Sequence, residues 1–216
     1  MADRVTSEDG ALANPDDFEG QTSLAPVSFS TDNDDDDYEM DFPVMKILQQ
    51  TSDEVKSKEG DAGQMYVDSI GVVEHPLIFV PLARGQLRIR KEDAKNIDSE
   101  IVCRSNDGYH GVGDPGGDCR TCPFARWIDD SPPDCSHIIV FLGYLPEEDQ
   151  IVRWSLQRTG LPVARRINTM LKNRKMGTVA LKIGIRETGS NRQRYFAPTV
   201  KRGDVEEHWE IPEYQG

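Results

Sequence analysis

After residue 76, the pattern of apolar and polar positions predicts short strands separated by turns. Strands are expected at 77–82 and 86–90, joined by a turn at 83–85. The nearly continuous apolar run at 137–145 predicts a buried strand, and 151–156 is expected to pair with it after a turn at 146–150. Apolar and polar residues alternate again from 179 to 185, and 194–200 is expected to return beside that strand after a turn at 188–191.

Between these two predicted hairpins, the apolar period changes from that of a strand to that of a helix. The apolar side chains at i, i+4, i+7 and i+8 fall on one helix face, and they are Val163, Ile167, Met170 and Leu171. Pro162 suits a first helical turn, where its missing N–H is no loss, and Gly177 is a typical residue after a helix. The pattern therefore predicts one helix over 161–173 that packs by a single face.

The order of predicted elements is two strands, a cysteine-containing insertion at 103–135, a hairpin, a helix and a second hairpin. This order favours a mainly β (α+β) fold, an OB-like antiparallel barrel with one packed helix. We expect this domain to span 43–202, with a C-terminal extension at 203–216. Residues 51–64 have the composition of a loop.

The first 42 residues differ from the rest in charge. They hold 13 of the 38 acidic residues and only Arg4 of the 25 basic residues, so the net charge is −13 overall but −1 for residues 43–216. Because this segment is also poor in apolar side chains, it is predicted to be a disordered acidic tail, with order beginning near 42–48. We find no signal-peptide pattern and no apolar run of the roughly 18 residues that a membrane span needs, so we expect a soluble, intracellular protein.

Four cysteines are spaced in the insertion as Cys103-x15-Cys119-x2-Cys122-x12-Cys135. A Cys-x2-Cys pair presents two thiolates to one tetrahedral ion, and the two outer cysteines complete a four-ligand zinc site. Such a closed site is structural, so one structural Zn²⁺ in a zinc knuckle is predicted. Three alternatives stay open: a redox pair at Cys119 and Cys122, unliganded buried cysteines, or His110 or His137 in place of one cysteine ligand.

No pattern in the chain indicates catalysis. A G-x-G-x-x-G match at 111–116 lies between the predicted zinc ligands rather than between a strand and a helix, so it does not indicate a dinucleotide site. The phosphate-loop, zinc-protease and nucleophile-elbow patterns are absent. We therefore expect a protein that is not an enzyme.

Basic residues cluster between 153 and 202, where Glu187 is the only acidic residue, and aromatic residues lie among them. Cations that follow phosphates and aromatic faces that stack on bases are typical of single-stranded nucleic-acid binding. The predicted nucleic-acid contacts are Arg153, Trp154, Arg158, Arg165, Arg166, Lys182, Arg186, Arg194, Tyr195 and Phe196. The alternative for each of them is an ordinary solvated or core residue, and Arg153 and Trp154 point to opposite faces if they lie on a strand. Arg126, Trp127, Arg88, Arg90 and Lys91 could extend the surface.

With these residues in place, the chain resembles the zinc-containing single-stranded-DNA-binding proteins of tailed bacteriophages. The resemblance rests on three short segments around the cysteines, 103–108, 116–123 and 133–135, and continues through 158–165 and the hairpin 178–200. It implies an OB-fold with an inserted zinc knuckle, and a protein that coats exposed DNA in replication and recombination without catalysis. The chain departs from that family in offering four cysteines where the best-known members use three and a histidine, and in carrying its acidic tail at the N-terminus.

The expected partner is therefore single-stranded DNA, with replication or recombination proteins as further partners through the acidic tail and no membrane association. The expected localisation is cytoplasmic, in the host cytoplasm if the protein is viral. The tail has two functional interpretations, recruitment of partners or competition with DNA for the basic surface, and a plain one as a solubilising segment. The alternative function is a zinc-ribbon-like transcription regulator or polymerase-associated module that binds duplex DNA and protein. A third class is an inhibitory protein that uses its acidic run as a phosphate mimic.

Overall fold

The computed structural model describes residues 42–203, apart from 95, 97–98, 130 and 191–192, and it is mainly β, as predicted. The predicted acidic tail up to residue 41 and the predicted extension from 204 lie outside the described residues. The strands are β1 Val44–Ile47, β2 Met65–Val67, β3 Gly71–Val73, β4 Leu77–Lys91, β5 Ile101–Ser105, β6 His110–Gly113, β7 Gly117–Asp118, β8 Cys135–Leu145, β9 Gln150–Gln157, β10 Leu181–Ser190 and β11 Gln193–Arg202. The helices are α1 Asp53–Lys56, in a segment predicted to be a loop, and α2 Leu161–Leu171.

Five strands form the centre of the fold, in the order β9-β8-β4-β10-β11. All four neighbouring pairs are antiparallel, and α2 lies in the connection between β9 and β10. Both predicted hairpins, β8–β9 and β10–β11, are thereby confirmed, as is the helix between them. The helix buries one face through Ala164, Ile167 and Leu171.

The predicted OB-like barrel is not closed among the described residues, since the sheet is open between β9 and β11. The free edge of β9 is occupied by β1, which pairs with it in parallel at Val44 and Met45. On the other side of this opening, the Gln49 side chain holds β11 by two hydrogen bonds to the Phe196 backbone. Its Nε2 donates to the Phe196 oxygen at 2.8 Å, and its Oε1 accepts from the Phe196 N–H at 2.9 Å. We call this opening, bridged by residues 43–49, the β9–β11 seam.

The two strands predicted at 77–82 and 86–90 are one continuous strand, so the turn predicted at 83–85 is wrong. A register irregularity between Pro81 and Ala83 lets β4 bend and still pair with β8 from Val80 to Arg90. Such a bulge accommodates a proline, which cannot donate a hydrogen bond to the ladder. Gly85 lies within the strand, opposite Val140, and the chain does not turn there.

The core lies between the central sheet and α2. The Trp154 ring packs edge-on against Phe79 with centroids 5.6 Å apart, and both side chains are almost fully buried. Gly143 allows this packing, because a Cβ atom there would lie 2.1 Å from the Phe79 ring. Among the residues that the structure describes, no helix is long and apolar enough to cross a membrane.

Candidate metal centre and nucleic-acid surface

The cysteine lobe, residues 101–135, is built on the ends of the two central strands. The β4–β8 ladder continues until Arg90 pairs with Cys135, and on the other edge of β4 the same Arg90 pairs with Cys103. Directly paired residues project to the same face of a sheet, with Cβ atoms about 4.5–5.5 Å apart. Cys103 and Cys135 therefore lie on either side of Arg90, on one face.

The other two cysteines come from the Gly-rich segment that folds back over this face. The Cys119 N–H donates to the Tyr109 oxygen at 2.7 Å, and Cys122 precedes a single 3-10 turn at Pro123–Ala125. The fold-back needs glycine at position 113, where φ is +108° and a Cβ atom would lie 2.2 Å from the Val102 oxygen. The local backbone thus brings the Cys-x2-Cys pair over the sheet.

All four cysteines line one pocket, which we call the cysteine pocket. It is lined by Arg88, Arg90, Cys103, Ser105, Pro115, Gly116, Cys119, Cys122, Ala125 and Cys135. Burial raises the pKa of the Cys135 thiol; Arg88 opposes this change, and the other three cysteines add to it. The other three cysteines are therefore close enough to Cys135 to influence its thiol electrostatically.

As it stands, this arrangement is not a formed metal site. Within residues 42–203, with the gaps given above, no group of three or more His, Cys, Asp or Glu side chains is placed to hold a metal ion. Zinc coordination brings four ligand atoms to one ion, with each sulfur at about 2.3 Å. The donor set nevertheless fits zinc, since four free cysteines on a turn-rich lobe can close on one tetrahedral ion.

The two histidines considered as replacement ligands lie outside the pocket lining. The His110 Nδ1 lies 2.7 Å from the Asp107 Oδ2 on the lobe surface. The His137 Nε2 lies 3.3 Å from the Gln86 Oε1, and burial lowers the pKa of His137 to about 4, with further contributions from the positive charges of Arg88 and Arg165. Neither histidine is therefore in the pocket that the four cysteines line.

A disulfide between Cys103 and Cys135 does not fit the strand order. Both pair with Arg90 from opposite edges of β4, so their Cα atoms lie two strand spacings apart, about 9–10 Å. A disulfide needs Cα atoms within about 7 Å. A thioredoxin-like redox pair at Cys119 and Cys122 would stand at the start of a long helix. In this structure only a three-residue 3-10 turn follows Cys122.

Among the predicted nucleic-acid contacts, Trp154 lies in the core rather than at the surface. Its side chain is 2% exposed and packs against Phe79, so it has no face for a base to stack on. Phe196 is half-buried beside Gly63, since a Cβ atom there would lie 2.7 Å from its ring. The Arg194 Nη1 is 3.2 Å from the Glu187 Oε1, which offsets its charge. These last two residues are less available to DNA than the sequence pattern indicates.

Other predicted contacts are exposed, some on the β10–β11 hairpin and some at or just before α2. On the β10–β11 hairpin, Lys182, Arg186 and Tyr195 share one face, because Tyr195 pairs with Thr188 and alternate residues of a strand point the same way. Phe196, one residue on, lies on the opposite face. Arg158 is exposed just before α2, and Arg165 and Arg166 are exposed on it.

Two predicted contacts lie at boundaries of this surface. Arg153 is half-buried on β9, opposite Leu142 and turned away from the core face that carries Trp154. Arg165 on α2 is near enough to His137 on β8 for its charge to lower the pKa of that histidine.

The suggested extensions of the surface have different positions. Arg88 and Arg90 line the cysteine pocket and are not free surface cations, whereas Trp127 is 67% exposed on the lobe. Tyr109, which the sequence pattern does not single out, is 43% exposed on the same lobe. Its only sequence signal is an aromatic residue between glycine and histidine in an otherwise polar loop.

Comparisons of this chain with protein-family models, with curated proteins and with solved structures found no match.

Proposed function

We propose that this chain is a single-stranded-DNA-binding protein with an OB-like domain and one structural zinc ion held by Cys103, Cys119, Cys122 and Cys135. The observation that carries the proposal is the strand order β9-β8-β4-β10-β11, with α2 between β9 and β10. An OB-fold is a partly open five-stranded barrel with one helix, and it binds oligonucleotides on its second and third strands and on two flanking loops. In this chain those strands are β8 and β9, and the flanking connections are the cysteine lobe and the β10–β11 turn.

The distribution of charge supports this proposal. Arg158, Arg165, Arg166, Lys182 and Arg186 are exposed, and none of them forms an ion pair among the residues that are described. Such unpaired cations remain available to phosphates, whereas a salt-bridged one must first give up its partner. Tyr195 lies on the same hairpin face as Lys182 and Arg186, where its ring is available for stacking.

Zinc would supply the stability that the cysteine lobe lacks. The lobe exposes Val112, Trp127 and Ile128 and buries little apolar surface of its own. Four thiolates closing on one ion would fix the fold-back of its Gly-rich segment to the end of the β4–β8 ladder. In this proposal the zinc shapes the lobe without taking part in any reaction, and the protein coats exposed DNA during replication or recombination.

The proposal is tested by titrating labelled single-stranded and duplex oligonucleotides of equal length at two salt concentrations. We expect preference for the single strand and an affinity that falls with salt. For each lost phosphate contact, the slope of log K against log salt should drop by about 0.7 on a single strand. The double change Arg165→Ala with Arg166→Ala should lower both affinity and slope, while Lys56→Ala, which removes an exposed lysine on α1, should change neither.

Stacking is tested separately with Tyr195→Ala. Loss of one base–aromatic stack costs roughly 1–3 kcal/mol, which corresponds to an affinity loss of about 5- to 150-fold with little change in salt slope. Preference for duplex DNA would instead support a transcription-type module, and absence of binding to either oligonucleotide would refute the proposed function.

The metal is tested on protein purified under reducing conditions. We expect one zinc per chain by metal analysis, and a lower melting temperature after a chelator has removed it. Metal-free protein that is as stable as the freshly purified protein would refute the structural role of zinc, while leaving the DNA titration to decide the function.

A further inference from the structure

Arg90 occupies an unusual position for an arginine, because it lies inside the cysteine pocket between two of the four cysteines. It pairs with Cys103 on one edge of β4 and with Cys135 on the other. Only 17% of its side chain is exposed. This side chain is therefore largely shielded from solvent, in the pocket that all four cysteines line.

Two contacts fix the guanidinium group of Arg90. Its Cζ lies 3.9 Å from the centroid of the Phe124 ring, which is the geometry of a cation–π interaction. Its Nη1 donates to the Asp114 oxygen at 3.0 Å and lies 3.6 Å from the Asp114 carboxylate. Both partners belong to the cysteine lobe, so the lobe itself holds the arginine in place.

The Nε–H of Arg90 has no acceptor. It is buried, and within the described part of the chain it makes no hydrogen bond. A buried unpaired donor costs about 1–3 kcal/mol, and more where the group is charged, so native structures usually provide an acceptor. Arg88, the other arginine of the pocket, differs in this respect, because its Nε already donates to the Gly108 oxygen at 3.1 Å.

We propose that Arg90 is a positioning residue for the four-thiolate centre: its Nε–H donates to a cysteine thiolate, and its charge offsets that of the centre. This inference rests on the proposed zinc site. Four thiolates with one Zn²⁺ carry two net negative charges, and charge that is partly buried is costly unless it is compensated. Arg88, together with Arg90, whose charge is shared with the Asp114 carboxylate, would offset part of this charge.

The inference predicts how fast the metal is lost when Arg90 is changed. Removing an outer-shell partner of a metal ligand typically lowers metal affinity by about 10- to 100-fold. We therefore expect zinc transfer from Arg90→Gln to a colorimetric chelator to be about 10- to 100-fold faster than from the wild type. Arg90→Lys keeps the charge but loses the fixed Nε donor and the planar group over Phe124. Its rate of zinc release should lie between those of the wild type and Arg90→Gln.

A spectroscopic measurement separates a hydrogen bond to sulfur from general support of the fold. In cobalt-substituted protein, the sulfur-to-metal charge-transfer band should move to longer wavelength in both variants, because an unbonded thiolate gives up its electrons more easily. The matched control is Arg126→Gln, an exposed arginine of the same lobe whose Nη2 donates to the Arg120 oxygen at 2.8 Å. It should leave both the release rate and the band unchanged.

Each outcome decides a different point. If the wild type binds no zinc, the proposed metal centre is wrong. If it binds zinc but Arg90→Gln matches Arg126→Gln in rate and band, the zinc centre stands and the role of Arg90 is refuted. Should Arg90→Gln fail to fold, Arg90→Lys decides in its place, and a wild-type rate and band for that variant would overturn the inference.

Discussion

Gln49 offers the sharpest test of how this open sheet is held together. Its side chain is the link from the segment after β1 to β11, through one hydrogen bond to the N–H and one to the oxygen of Phe196. The chain just before Gln49 is attached to β9. There β1 pairs with β9 in parallel, and the Arg153 N–H donates to the Pro43 oxygen at 2.8 Å. Replacing Gln49 with alanine removes the link to β11 and leaves the pairing with β9 intact.

The expected cost follows from the two bonds. A hydrogen bond contributes about 0.5–1.5 kcal/mol net, and the backbone groups left behind at Phe196 are only partly buried, so water can reach them. Gln49→Ala should therefore lower the free energy of unfolding by about 2 kcal/mol. Gln49→Glu should lower the free energy of unfolding by at least half as much as Gln49→Ala, because a carboxylate accepts from the Phe196 N–H but cannot donate to its oxygen.

Equilibrium urea unfolding, followed by tryptophan fluorescence on metal-loaded protein, measures this difference. With a slope of about 1–3 kcal/mol per molar urea, a loss of 2 kcal/mol moves the midpoint by about 1 M. The matched control is Gln50→Ala, which truncates the exposed neighbouring glutamine. If Gln49→Ala unfolds within about 0.5 kcal/mol of this control, the side chain does not hold the β9–β11 seam and our account of the open sheet is wrong.

Three further predictions follow from single residues. Gly143→Ala should destabilise the protein by about 1–3 kcal/mol, because its Cβ atom would overlap the buried Phe79 ring; an unchanged melting temperature would contradict the packing. Trp154→Phe should lower stability but leave the affinity for single-stranded DNA unchanged, whereas a loss of affinity at full folding would restore Trp154 as a DNA contact. Burial raises the pKa of Asp107, but hydrogen bonds from His110, Tyr109 and Ser105 outweigh it and hold that pKa well below its usual value. The stabilisation from this carboxylate is present above pH 4 and lost as pH falls below it, so the stability difference between wild type and Asp107→Asn should shrink from pH 5 to pH 3 in urea unfolding.

The parts of the fold that the sequence predicts are those set by local pattern. The helix follows from apolar residues three and four apart, and both hairpins follow from alternation interrupted by turns. These signals need no knowledge of the rest of the chain. The alternation also placed Arg153 and Trp154 on opposite faces, which is how the structure arranges them on β9.

The parts that the sequence does not predict depend on distant contacts. Pro81 and Gly85 have the composition of a turn, yet β8 pairs along the whole of β4 and a bulge absorbs the irregularity. Nothing near Gln49 indicates that its partner is Phe196, 147 residues away. In the sequence, Arg90 looks like any surface arginine. Its place among the cysteines follows only from the pairing of β4 with both of its neighbours.

The register between β4 and β8 therefore determines both the position of the arginines beside Cys135 and the packing of the core. Side chains alternate along a strand, so the pairing that places Arg88 and Arg90 on the face of Cys135 also determines which residues of β8 point into the core. A slip of one residue would turn both arginines away from Cys135 and break the packing of Phe141 at the same time. Because the core strongly disfavours such a slip, the ends of β4 and β8 present Cys103, Cys135 and Arg90 in a fixed relation. The fold-back of Cys119 and Cys122 is then the step that completes the proposed centre, and it is the step that zinc would stabilise.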